Sequence, residues 1–249
     1  MIKSLLASLV VLGVVAQVNA ITIPYGDFNG NTVMFLDVTE DTRDEPDALF
    51  GAPSILGDTL DFDPLSFDAE VSSSTGTNES DIVDAQLNFT IMSNDASTPI
   101  QVVQFREAGD YTLAGLGSAQ ATASVAAPVL WSITYVDGAP LDAPVNGSGD
   151  LVFSPTGGSY ALPGDLGTSQ WTGELDVDVA AFAAANGITG NVTKVEFVLD
   201  NTLTVAAADG GTAFIAKKDN GLTVTVPEPN AIAILSAGLL GLLGFRRKK

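Results

Sequence analysis

The 249-residue chain has no histidine and no cysteine, so its reactive side chains are carboxylates, hydroxyls and ten lysines and arginines. Without imidazole there is no Ser-His-Asp relay and no histidine-type zinc or iron centre. Without thiol there is no disulfide, thiolate nucleophile or cysteine-based metal site. No nucleophile-elbow, P-loop or dinucleotide fingerprint is present. What remains is carboxylate acid–base chemistry. Glycoside hydrolysis needs two carboxyl groups about 5 to 9.5 Å apart across the scissile bond, and Glu107, Glu174 and Asp176 are the conceivable participants. On a strand, Glu174, Asp176 and Asp178 point to one face, which is also the pattern of a solvated strand. Nothing in the spacing selects a pair, so no catalytic residue is assigned and the body is read as non-enzymatic. A secreted carbohydrate-active enzyme using two carboxylates is the alternative.

Carboxylates also bind hard cations. Calcium takes six to eight oxygen ligands, and acids cluster between Asp37 and Asp47 and at Asp58, Asp61 and Asp63. Neither group has EF-hand spacing, and Asn146-Gly147-Ser148-Gly149-Asp150 lacks the nonapeptide repeats of a calcium β-roll. The expectation is solvated loops without a cofactor, with Asp58, Asp61 and Asp63 as the calcium candidates. Flat rings could stack on sugars, and Trp131, Tyr135, Tyr160 and Trp171 are the ones to consider. Trp131 and Tyr135 share a strand parity within an apolar run, which favours a core role over a sugar platform.

The chain ends carry the most specific information. Met1-Ile2-Lys3 is a positive start, an apolar stretch follows, and Val18-Asn19-Ala20 is a small-residue cleavage site. Residues 1–20 therefore read as a signal peptide cut between Ala20 and Ile21, with a cut after Ala16 also compatible. At the other end stand Pro227, Glu228 and Pro229, an uncharged run over 231–245, and the cations Arg246, Arg247, Lys248 and Lys249. Two prolines around one acid make a stiff extended spacer. Fifteen helical residues would span roughly 22 Å, short of the hydrocarbon core of about 30 Å. The terminal cations act as a stop-transfer end and snorkel to the headgroups, so the run reads as a transmembrane helix.

This tail closely resembles the PEP-CTERM sorting signal of bacterial exported proteins: a Pro-Glu-Pro tripeptide, a hydrophobic helix and a basic end. The resemblance covers residues 226–249, about a tenth of the chain. It implies an exosortase as partner, a membrane-embedded cysteine transpeptidase that cuts near the tripeptide and delivers the body to the cell surface or the extracellular matrix. A single-span membrane protein whose tail is never processed is a further alternative.

Between the two ends lie residues 21–225. Five cations (Arg43, Arg106, Lys194, Lys217 and Lys218) face 29 acids there, a net charge of −24. Such a polyanion offers no footprint for nucleic acid. It suits a soluble extracellular body, and extracellular polysaccharide is a conceivable partner.

The elements that must position these groups read mostly as strands, at 31–38, 82–93, 100–105, 125–136, 170–177, 191–199, 213–216 and 222–226. Turn signals separate them at Asn29-Gly30, Ala108-Gly109-Asp110, Asp137-Gly138, Asn146-Gly147, Gly157-Gly158, Asp209-Gly210-Gly211 and Asn220-Gly221. One alanine-rich helix is expected over 178–185, opened by Asp178 and closed at Asn186-Gly187. The expected fold is mainly β: an antiparallel sandwich or jelly roll with one short helix. The stretch 138–149 is the best candidate for an internal boundary, although no linker is long enough to separate two domains.

Overall fold

The computed structural model describes residues 21–228 apart from 44 and 65. The expected signal peptide, transmembrane helix and basic end lie outside the described residues. In chain order the strands are β1 (Thr22–Asn29), β2 (Val33–Asp41), β3 (Ser54–Leu56), β4 (Thr59–Phe62), β5 (Asp68–Ser72), β6 (Asn78–Ser93), β7 (Val102–Ala114) and β8 (Gln120–Ala126). They continue with β9 (Pro128–Val136), β10 (Ala139–Asp150), β11 (Val152–Ser154), β12 (Ser159–Ala161) and β13 (Gly167–Asp178). Helix α1 (Val179–Ala185) follows, then β14 (Val192–Ala208) and β15 (Thr212–Thr225).

Two antiparallel sheets result. The eight-stranded sheet runs β1-β2-β6-β14-β8-β12, with β9 also paired to β14 and β10 to β9. The seven-stranded sheet runs β11-β13-β7-β15-β4-β3, with β5 also paired to β15. Each is organised on one long strand. β14 pairs along its length with β6 on one side and divides its other side between β9 and β8. β15 does the same with β7 on one side and β5 and β4 on the other. The turn at Asp209-Gly210-Gly211 carries the chain from one central strand to the other, and therefore from one sheet to the other.

The strands form where apolar residues alternate. In β7 every second residue from Val103 to Leu113 is buried, and in β14 every second one from Val195 to Ala207. Those faces meet in one continuous hydrophobic cluster. At its centre Phe89 of β6 and Phe197 of β14 stack at 5.6 Å between centroids, while Phe105 of β7 reaches across at 5.5 Å from Phe197. Aromatic pairs at these separations add to simple area burial.

Helix α1 has the expected cap. Asp178 accepts a hydrogen bond from the Ala181 N–H at 2.8 Å, and Gly187 has the positive φ of 75° that a helix exit uses. The helix sets Phe182 edge-on against Trp131 at 5.4 Å, covering that end of the β9–β10 pair.

Several turn and boundary expectations are corrected. Gly109 lies inside β7, Gly147 inside β10, and Asn220-Gly221 inside β15, where the register with β7 jumps between Lys217 and Leu222. The candidate boundary at 138–149 is the turn Asp137-Gly138 followed by β10, which is paired to β9. Glycine is needed at Gly109 and Gly147 for proximity, not for turning. A Cβ at Gly109 would lie 2.4 Å from the Trp171 ring, and one at Gly147 would lie 2.4 Å from the Trp131 ring. The strand expected over 125–136 divides into β8 and β9, and the pair expected at 213–216 and 222–226 is the single bulged strand β15.

Candidate functional site

The end of the body is built around Asp58. Its carboxylate accepts hydrogen bonds from Thr32 N at 2.8 Å, Thr32 Oγ1 at 2.5 Å and Val33 N at 3.4 Å. This ties the β3–β4 turn to the start of β2. Gly30 fits beneath it because a Cβ there would come within 2.4 Å of Asp58 Oδ1. The Asp58 carbonyl then accepts from Val226 N at 2.9 Å, one residue beyond the Thr225–Thr59 pair of β15 and β4.

Pro227 follows immediately. It has no N–H to continue the ladder, so the sheet ends here for a covalent reason. Glu228 is exposed and accepts from Asn31 Nδ2 at 3.2 Å. The first two residues of the tripeptide thus leave the rim of the body beside the β1–β2 turn, with the acid open to solvent. Pro229, Arg246, Arg247, Lys248 and Lys249 lie outside the described residues, as does Ala20. Ile21 is the first described residue and is exposed.

A protein-sorting signal occupies this end. The PEP-CTERM protein-sorting motif matches residues 225–248. The matched segment begins at the last residue of β15, so the PEP-CTERM motif and the folded body meet end to end. Among solved structures, the enzymatically active domain of tailspike protein 4 from bacteriophage CBA120 aligns over 80% of this chain and 19% of that chain. It does so at 12% identity and a TM-score of 0.19. A comparison with curated proteins finds no match. Among the described residues, no helix is long and apolar enough to cross a membrane.

The sheet separates Glu107 from the other two carboxylates considered for catalysis, Glu174 and Asp176. Glu107 and Glu174 occupy neighbouring positions on β7 and β13, where Gly173 pairs with Glu107 and Glu174 with Arg106. Adjacent register positions face opposite sides. Glu107 is buried, whereas the Glu174 side chain is 70% exposed. The two therefore cannot flank one glycosidic bond. Asp176 shares the outer face with Glu174, and Arg106 lies against both, at 2.6 Å from Asp176 and 3.8 Å from Glu174.

Of the calcium candidates, Asp58 is committed to the hydrogen bonds above. Burial, and then the charge of Asp63, push the Asp61 carboxyl above its ordinary range. The acids of the 37–47 region divide likewise: Glu40 turns inward and accepts from Tyr25 Oη at 2.5 Å and from Leu49 N and Phe50 N, while Asp41 bonds Arg43 N. No group of three or more acidic side chains gathers around a common point among the described residues. The rings considered for sugar stacking also divide. Trp171 and Tyr160 are core residues, and Trp131 is half-buried between Gly147, Gly149 and Phe182. Tyr135 is half-buried beneath the Lys194 ammonium, 5.2 Å from its ring centroid.

One polar cluster has no counterpart in the motif reading. Lys217 of β15, Glu107 of β7 and Asn201 of β14 meet inside the core, every one of them buried. Their strand parity announces it: Lys217 follows inward-facing Ala213 and Ile215, Glu107 follows Val103 and Phe105, and Asn201 stands between Leu199 and Leu203.

Proposed function

We propose that this chain is an exported protein delivered to the cell surface or extracellular matrix through its PEP-CTERM tail, with an exosortase as processing partner. The body serves a structural or binding role without catalysis. The observation that carries this reading is the match of the sorting motif to residues 225–248, beginning where β15 ends. An enzyme that cuts near the tripeptide needs an accessible, extended segment, and Glu228 is exposed next to a proline that cannot join the sheet. The membrane is the partner of the tail before processing, through the uncharged run over 231–245 and the four cations behind it.

The acidic body fits release into water or a hydrated polymer. The separation of Glu107 from Glu174 by the sheet supports the non-enzymatic reading over the two-carboxylate hydrolase that those residues suggested. The test is replacement of Pro227-Glu228-Pro229 by three alanines in a host with an active exosortase. The apolar run and basic end are untouched, so the variant should still insert, and its full-length form should accumulate in the membrane fraction. Equal release of variant and wild type would reject the role of the tripeptide.

A further inference from the structure

The Lys217–Glu107–Asn201 cluster bridges the two sheets. Lys217 and Glu107 belong to neighbouring strands of the seven-stranded sheet, and Asn201 to the central strand of the other. One carboxyl group holds both partners. Lys217 Nζ lies 2.7 Å from Glu107 Oε2, and Asn201 Nδ2 donates to Glu107 Oε1 at 2.7 Å. The surroundings are buried and aromatic: Nζ lies 5.9 Å from the Phe50 centroid, 5.4 Å from Phe67 and 5.5 Å from Trp171.

As a simple ion pair the cluster is poorly satisfied. The Nζ–Oε2 contact lacks hydrogen-bond alignment, and Asn201 Oδ1 is buried with no hydrogen-bond partner. Two charges held in an apolar core with incomplete hydrogen bonding are costly. The same three groups are, however, the reactants for amide exchange: an amine nucleophile, a carboxamide electrophile and a carboxyl group touching both.

We propose that Lys217 and Asn201 become joined by an intramolecular isopeptide bond, with Glu107 as the acid–base group. The Lys217 ammonium first gives a proton to the Glu107 carboxylate, leaving a neutral amine and a neutral acid. Burial favours this transfer by pulling the Lys217 pKa below the ordinary lysine range, against the opposing attraction of Glu107. Nζ adds to Asn201 Cγ while the protonated Glu107 hydrogen-bonds the carbonyl oxygen. The carboxamide needs only to turn end over end for Oδ1 to take the place of Nδ2 at the carboxyl group. The Cγ–Nδ2 bond then breaks, Nδ2 departs as ammonia carrying a proton relayed from Nζ, and Glu107 remains protonated. The product is an uncharged amide beside an uncharged acid, which relieves the desolvation of the original pair.

The bond would tie the two central strands covalently across the core, in a chain that has no cysteine for a disulfide.

Trypsin reads this directly in the protein purified from its exporting host, after denaturation. Cleavage sites fall at Lys194, Lys217 and Lys218, so an unlinked chain yields peptide 195–217. The linked chain should resist cleavage at Lys217 and yield 195–218, lighter by one ammonia, with no backbone fragments released between 201 and 217. Recovery of unmodified 195–217 overturns the proposal. So does 195–217 lighter by one ammonia, because a cyclic imide at Asn201 loses the same mass but leaves Lys217 free. Glu107→Gln keeps the shape and removes the acid–base group. If it folds, it should give the unlinked peptide, and a linked product in this variant would overturn the role of Glu107. The wild-type digest decides the bond itself whether or not the variant folds.

Discussion

Lys217 Nζ stands 2.7 Å from Glu107 Oε2, and neither side chain has any exposed surface. Without the Lys217 charge, a carboxylate at this depth keeps only the hydrogen bond from Asn201 Nδ2. Lys217→Met should therefore destabilise the body by about 3–5 kcal/mol, measured by urea unfolding. Adding Glu107→Leu removes the stranded acid and should recover part of that loss. A double variant no more stable than Lys217→Met alone would contradict the coupling.

Alkaline pH should destabilise the body through two sequestered phenols, the buried Tyr160 and the half-buried Tyr25. Tyr160 is stacked on Tyr111 at 3.9 Å between centroids, and burial followed by the charges of Tyr111 and Asp165 pushes its hydroxyl up to about 12. Burial and the Glu40 hydrogen bond raise Tyr25 as well. Between about pH 10 and 12 the unfolded chain releases these protons while the folded chain keeps them, so stability falls as pH rises. The contribution is fully present below about pH 10. Tyr160→Phe should make the loss of melting temperature over this range shallower, and an unchanged slope would count against the assignment.

Gly109→Ala tests close packing rather than turn chemistry. The added methyl would meet the Ala216 carbonyl oxygen and the Trp171 ring, both closer than 2.5 Å, on the wall of the Lys217 cluster. A loss of about 1–3 kcal/mol or more is expected in denaturant unfolding, because backbone on one side cannot yield. A neutral result would mean that Trp171 does not lie across β7.

Low salt should weaken the body. Its five cations against 29 acids leave −24 to repel itself. Screening with a Debye length of about 8 Å at 0.15 M reduces that repulsion. The melting temperature should rise between low salt and 0.5 M NaCl, with no special benefit from calcium over matched sodium. A salt-independent melt would show that the charges are already compensated.

The sequence made the fold class, the main strands and the capped helix legible because each had a local signal: alternation in β6 and β7, Asp178 at the helix start and Asn186-Gly187 at its end. Gly109 and Gly147 misled because glycine at a tight crossing looks like glycine in a turn, and the indoles that need the space come from distant or neighbouring strands. The short strands β3, β11 and β12 have three residues each and are fixed by partners, not by their own pattern. The sorting tripeptide was legible because it is contiguous. The Lys217–Glu107–Asn201 cluster was not, since Glu107 and Asn201 are 94 residues apart, although a polar residue at an inward parity in each of three strands was the available clue.

The mass and C-terminal residue of the protein recovered from an exporting host with an active exosortase test the sorting account most directly. The account predicts a species found outside the membrane, beginning near Ile21 and ending near the Pro227-Glu228-Pro229 tripeptide, without the 231–245 run or the basic end. Recovery from the membrane with Lys249 still attached would contradict it and leave an unprocessed anchor in its place.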